Sequence, residues 1–192
     1  MRRLFVAVLL LIASLANAAS HDIGTYAELK EIGDVNHPLS DTYNQTANID
    51  ASASSEENGG AGFVPIGSTT PFFTGIYDGH GFAITNLTVN RASTVNQAFI
   101  QEIASAGIVR NLTLNASVNG LNQSGSITVW CTGAILKCST SGSVTCHLYE
   151  GWTGGMCGGV IGGTISDSYS SATVVSNNAT RAGGFAGYSE GT

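Results

Sequence analysis

The stretch Asp78-Gly79-His80-Gly81-Phe82-Ala83-Ile84-Thr85-Asn86-Leu87-Thr88-Val89 decides how the chain is read, because its second half recurs. Val109-Arg110-Asn111-Leu112-Thr113-Leu114, Ile135-Leu136-Lys137-Cys138-Ser139-Thr140 and Ile165-Ser166-Asp167-Ser168-Tyr169-Ser170 repeat one pattern: an apolar residue, a step of three, then an alternation. The leading positions Ile84, Val109, Ile135 and Ile165 lie 25, 26 and 30 residues apart, a period that marks stacked units. Helical solenoids share such periods, so the spacing inside a unit must decide.

After Val109 come Leu112, Leu114, Ala116 and Val118; after Ile135 come Cys138, Thr140, Gly142 and Val144; after Ile165 come Ser168, Ser170, Ala172 and Val174. A two-residue alternation puts one side chain in and the next out, as in a strand. The step of three breaks the strand phase and predicts a corner at Thr85-Asn86, Arg110-Asn111, Leu136-Lys137 and Ser166-Asp167. A chain that turns a corner, runs a strand and returns in register stacks each coil on the last. The expected fold is all-β, a parallel β-solenoid of roughly 25–30-residue coils. Val118, Val144 and Val174 would form one inward ladder, each burial worth about 1.5–3 kcal/mol, beside a column of Ala116, Gly142 and Ala172 that leaves room for a narrow core. The first unit departs: its next inward places fall on Arg91 and Ser93, so its strand is expected to end early.

A second element precedes each corner. Gly155-Met156-Cys157-Gly158 and Gly184-Phe185-Ala186-Gly187 match closely, and Ala98-Phe99-Ile100-Gln101 and Ser126-Ile127-Thr128-Val129 are looser copies. They read as brief strands on another face, with glycines at the bends. Upstream, Tyr26 to Ile32 spaces Leu29 and Ile32 three apart behind a Thr25/Glu28 capping box, predicting a short helix that caps the open end of the β body. Tyr43 to Asp50 alternates as a first strand, Ala51 to Gly62 reads as a loop, and Phe63 to Gly67 and Phe72 to Gly79 read as short strands.

Composition agrees with a β-rich body: only 10% of the 192 residues are charged and 25 are glycine, against a usual charged share of about a quarter. Met1-Arg2-Arg3, the apolar run Leu4 to Leu15 and Ala16-Asn17-Ala18 form a secretory signal peptide, assigned to 1–18, with a capping segment at 19–62 and the solenoid at 63–192. The formal charge of −6 becomes −8 when Arg2 and Arg3 leave, five basic side chains against thirteen acidic ones. Nucleic acid is excluded as a partner by that balance, and no membrane insertion is expected after cleavage. Export places the four cysteines in an oxidising compartment, where Cys131, Cys146 and Cys157, in or beside bends, are disulfide candidates. Cys138 is the fourth candidate, although its inward column suits a small buried hydrophobe. At least one disulfide is expected; the pairing stays open.

At these residues the chain resembles the GLUG-motif proteins. The carriers are Gly154-Gly155-Met156-Cys157-Gly158 with Ile165 to Ser170, and Gly183-Gly184-Phe185-Ala186-Gly187, behind a lead-in from Phe63 to Gly81. The resemblance covers residue 25 to the end. It implies a right-handed β-helix on a secreted or surface protein, adhesin-like or accessory to a larger protein such as an immunoglobulin-A-specific metallopeptidase, with no catalytic site in the repeats.

No catalytic or phosphate-binding motif occurs, and no cofactor is expected. The histidines His21, His37, His80 and His147 are scattered, and the cysteine spacing has no zinc pattern. Asp50, Asp78, Glu102, Glu150 and Asp167 are the carboxylates that a polysaccharide-cleaving β-helix would gather on one outer face; Asp78 reads better as a turn staple and Asp167 as a solvated corner. Sequons begin at Asn44, Asn86, Asn111, Asn115, Asn122 and Asn178, candidates for glycans that also suit corners and strands on structural grounds. Trp130, Tyr149 and Trp152 are candidates for a patch contacting a protein or glycan, or else pack over a loop. The expected role is structural or adhesive at a cell surface or in the medium; a carbohydrate-active β-helix enzyme, or the amino-terminal repeats of a larger surface protein or protease, are the alternatives. The Gly183-to-Thr192 segment stops where an Ile-led strand is due, so either a carboxy-terminal truncation or a partner closing the last coil is expected.

Overall fold

The computed structural model describes residues 18–68, 70–148, 151–177 and 181–190. Residues 1–17 of the expected leader at 1–18, the candidates Tyr149, Glu150 and Asn178, and the last two residues lie outside them.

Alternating side chains wrap the chain into coils with four walls. From Ile108 the chain runs along Ile108–Arg110 on the first wall, Thr113–Gly120 on the second, Ser124–Gly125 on a short third and Thr128–Cys131 on the fourth. Adjacent coils lay equivalent strands beside these, so the first and second walls are six-stranded sheets, the fourth four-stranded and the third three-stranded. Every ladder between these strands is parallel. The fold is the all-β solenoid expected from the repeats.

The corners have a backbone cause. Asn111, Lys137 and Asp167, each just past the first wall, have φ of 52°, 55° and 51°. One left-handed residue redirects a strand within two positions, and Asn and Asp accept it at least cost.

The register of the first unit differs from expectation. Tyr77, not Ile84, stacks on Val109, Ile135 and Ile165, and Ile84 stacks on Leu114 instead. The corner of that coil is Asp78-Gly79-His80-Gly81, with His80 and Gly81 at φ 48° and 84°. Asn86, at φ 59°, sits in a bulge between Ile84 and Leu87. A left-handed residue skips the strand phase equally at a bulge and at a corner, so the same three-residue step marks both. Nor does the strand stop early: Ala83–Arg91 is nine residues long, and the Arg91 guanidinium donates to the carbonyls of Phe63 and Gly62.

The inward columns are continuous. Val89, Val118, Val144 and Val174 form the valine ladder, buried except at Val174, which is half-buried in the last coil. On the fourth wall Ile100, Thr128, Cys157 and Ala186 stack in the register given by the glycine-flanked copies. The core tapers. Tyr43, Tyr77, Phe63, Phe73 and Phe99 fill the amino-terminal coils, whereas Thr140, Cys131, Cys138 and Cys157 occupy equivalent depths in later, shorter ones. Gly142 keeps its register on Ala116 but is exposed, with φ 99°, so the second wall bends there.

All four cysteines are free and buried, correcting the disulfide expectation. Parallel stacking explains it, because a bridge between coils needs two cysteines facing each other, and these occupy different columns. Cys131 lies between Ile103 and Val160, Cys157 between Thr128 and Ala186, and Cys146 between Gly120 and Ser176; Cys138 sits against Ser168.

At the amino-terminal end the helix is Tyr26–Leu29, with the Thr25/Glu28 capping box in place. Leu29 and Ile32 are buried and close the core. An unexpected strand, Ser20–Ile23, precedes it and pairs with Thr42–Gln45. The segment expected as a loop forms a 3-10 turn, Ser52–Gly60, broken at Glu57, Asn58 and Gly59. Glu57 joins it to the cap, accepting from Lys30 Nζ at 2.6 Å and from the Tyr26 hydroxyl at 2.7 Å.

Candidate functional site

Outward positions on the fourth wall carry Glu102, Trp130, Gly159 and Tyr188 in one column. On the neighbouring third wall Trp152 stacks on Arg181. Where the two walls meet, Trp152 leans across the place that Gly159 leaves empty. A Cβ there would lie 2.9 Å from Trp152 Cε3 and 3.1 Å from Trp130 Cζ3, so the glycine is required by this approach. The result is a strip along the solenoid axis. Trp130 meets Trp152 edge to face at 4.8 Å between centroids, and Trp152 meets Tyr188 at 4.2 Å. The Arg181 guanidinium lies over both Trp152 and Tyr188, 5.4 and 4.5 Å from their centroids, a favourable cation–π arrangement. All three rings are half-buried and Arg181 is exposed.

Carboxylates flank the strip. The Tyr188 hydroxyl donates to Glu190 at 3.0 Å, which raises the phenol above its ordinary value. Glu102, beside Trp130, is half-buried, and its carboxylate has no hydrogen-bond partner among the described residues; burial pushes that carboxyl up. Glu102 and Glu190 belong to strands three rungs apart, about 14 Å at ordinary strand spacing. Paired carboxylates of glycoside hydrolysis stand closer, at about 5–10 Å.

Of the three patch candidates, Trp130 and Trp152 lie side by side, and Tyr149 is outside the described residues. Tyr188, Arg181 and the Gly159 notch were missed. Aligning Thr128-Val129 with Ala186-Gly187 and reading one residue further would have set Trp130 against Tyr188.

The other candidate carboxylates stay apart. Asp78 is buried at the first corner and accepts from Arg110 Nε at 2.6 Å, Asn111 Nδ2 at 2.9 Å and the His80 amide at 2.9 Å. Burial pushes its carboxyl up, but these bonds and the Arg110 charge outweigh that and hold it below the usual range. Asp50 accepts from Asn86 Nδ2 and the Ser52 amide, and Asp167 is an exposed corner. Among the described residues no three His, Cys, Asp or Glu side chains are grouped to hold a metal ion. His147 contacts Asn119 at 2.6 Å, while the Cys146 thiol beside it donates to the Asn122 carbonyl.

The sequon asparagines do structural work. Asn44 donates to Ser20, Asn86 to Asp50, Asn111 to Asp78 and Asn115 to Ser141, and Asn122 accepts from the Gln123 amide. These bonds tie one coil to the next or fix a turn.

No protein-family model and no solved structure matches the chain. Over 131 residues, 65% of the chain, it is 37% identical to Halomucin of Haloquadratum walsbyi (strain DSM 16790 / HBSQ001). The match spans 1% of that protein's length. A β-solenoid with this likeness is consistent with a cell-surface structural protein. Among the described residues, no helix is long and apolar enough to cross a membrane.

Proposed function

We propose that the chain is a non-catalytic secreted or cell-surface repeat protein with a structural or adhesive role, built of GLUG-type coils and delivered by the amino-terminal leader. The observation that carries this reading is the likeness to Halomucin over most of a chain whose coils stack in continuous columns. Such a body is stiff along its axis and presents long, regular outer faces, which suits spacing or attachment outside a cell. The low charged fraction and the outward serine, threonine and asparagine rows of the second wall agree with it.

Antibodies raised against the purified chain test the location on intact and permeabilised source cells and on the medium. Signal from intact cells or medium is expected; signal only after permeabilisation overturns the reading. Depolymerisation assays on acidic and neutral polysaccharides test the absence of catalysis. Turnover abolished by Glu102→Gln or Glu190→Gln would replace this reading with that of a carbohydrate-active enzyme.

A further inference from the structure

We infer that the strip of Trp130, Trp152, Tyr188 and Arg181 is a binding site for an uncharged, β-linked pyranose chain lying along the solenoid axis, an inference that rests on the adhesive reading and gives it a ligand class. Three observations converge on it.

The first is placement. Both tryptophans of the chain stand on the outside, at one corner, and neither belongs to the buried core of its coil. The rings pack against one another and under Arg181, and the part of their surface left open offers apolar ring edges and partial faces against which the axial C–H faces of a pyranose pack. The second is pre-organisation. Trp152 is seated in the Gly159 notch and held between Trp130 and Arg181. Little side-chain freedom remains to be lost when a ligand docks. Successive rungs present Trp130, Trp152 and then Tyr188, at a rung spacing of about 4.8 Å. That is close to the advance of one sugar residue in an extended β-linked chain, so the three ring positions keep step with consecutive pyranoses.

The third is charge. The carboxylates of Glu102 and Glu190 border the two ends of the strip, in a chain of formal charge −6. Carboxylates accept hydrogen bonds from sugar hydroxyls, and the Arg181 edge supplies donors, whereas uronates or sulfated sugars meet repulsion at both ends. A neutral hexose or N-acetylhexosamine polymer fits; a polyuronate does not.

Both tryptophans lie in the site, so intrinsic tryptophan emission reports on it directly. The purified chain is titrated with cellohexaose, chitohexaose and the equally β-(1→4)-linked hexamannuronate, and binding is confirmed by calorimetry. A saturable emission change with at least one of the two neutral hexamers is expected, and none with hexamannuronate. Trp130→Ala and Trp152→Ala each weaken binding by about tenfold or more, and Val175→Ala on the second wall leaves it unchanged. Trp152→Phe, which keeps a ring in the notch, retains binding and guards against loss through misfolding, as does matching circular dichroism for every variant. Three results overturn the proposal: neither neutral hexamer binds the folded wild-type chain, hexamannuronate binds as tightly as the neutral hexamers, or both alanine variants bind like wild type. Failure here with the chain found at the cell surface removes only the ligand class. Neutral-glycan binding by a chain found only inside cells removes the surface reading and leaves the site.

Discussion

At the residue scale, a side chain's direction decides what its substitution does. Val144 is fully buried between Val118 and Val174, and Thr145 next to it points outward. Val144→Asp puts an unpaired charge into the core and is expected to cost at least about 3 kcal/mol. Thr145→Asp meets water and is expected to cost about 1 kcal/mol or less. Urea unfolding of the pair checks this, and equal stabilities would refute the inward assignment. Asp78 adds a pH dependence. Its carboxyl titrates below the ordinary value when folded, so the stability it contributes is full above the unfolded-state pKa of about 3.9 and is lost as pH falls through the folded value. Asp78→Asn leaves the Arg110 and His80 contacts weakened and is expected to cost about 1–3 kcal/mol at pH 7. The gap between the two proteins should narrow as pH drops below 4, measured by unfolding midpoints at fixed salt. A gap that stays constant with pH would show that the charge contributes nothing. The staple role of Asp78 was legible from its turn setting; its reach to Arg110 was not, because the true register had to be known first.

At the scale of the element, walls were legible in proportion to how strictly they alternate. The second and fourth walls alternate over several residues, and their columns followed from the repeats. The first unit was misregistered by a bulge at Asn86 that imitates a corner, and Tyr77, stacked between Tyr43 and Val109, gave no signal matching the aliphatic leads of the later coils. The short third wall was invisible because its inward residues are polar. Gln97, Ser124 and Thr153 stack there and are all buried. Gln97 Oε1, Ser124 Oγ and Thr153 Oγ1 have no hydrogen-bond partner among the described residues. An unpaired buried hydroxyl costs free energy that an apolar group of the same shape does not. Thr153→Val, which also suits a strand, is therefore expected to stabilise the protein by about 1 kcal/mol, seen as a rise of about 2–4 °C in Tm. A fall in Tm would mean that the hydroxyl is satisfied in solution.

At the scale of the whole molecule, stability should be graded along the axis, because each coil is held chiefly by its neighbours. The amino-terminal coils contain the aromatic core and the Leu29 and Ile32 cap. In the last described coil Ile165, Ser168, Ser170, Ala172 and Val174 are only half-buried, and its strands have no partner on their outer side among the described residues. The four free thiols form a ready-made set of probes across this gradient. Burial pushes the Cys131 thiol up to about 12 and that of Cys138 up to about 11, and drives Cys157 well above its ordinary value. All four thiols are buried, so in the folded protein all four should resist iodoacetamide at pH 8, where accessible thiols react, and all four should react in denaturant without reductant. Cys138, Cys146 and Cys157 are covered directly by the last coil, through Ser168, Ser176 and Ala186. Cys131 is covered by Val160, one coil deeper. With rising urea, pulsed labelling read by mass spectrometry should modify the first three before Cys131, as the last coil opens ahead of the rest. Simultaneous labelling of all four would mean that the solenoid unfolds as a single unit and that the taper of its core carries no gradient of stability.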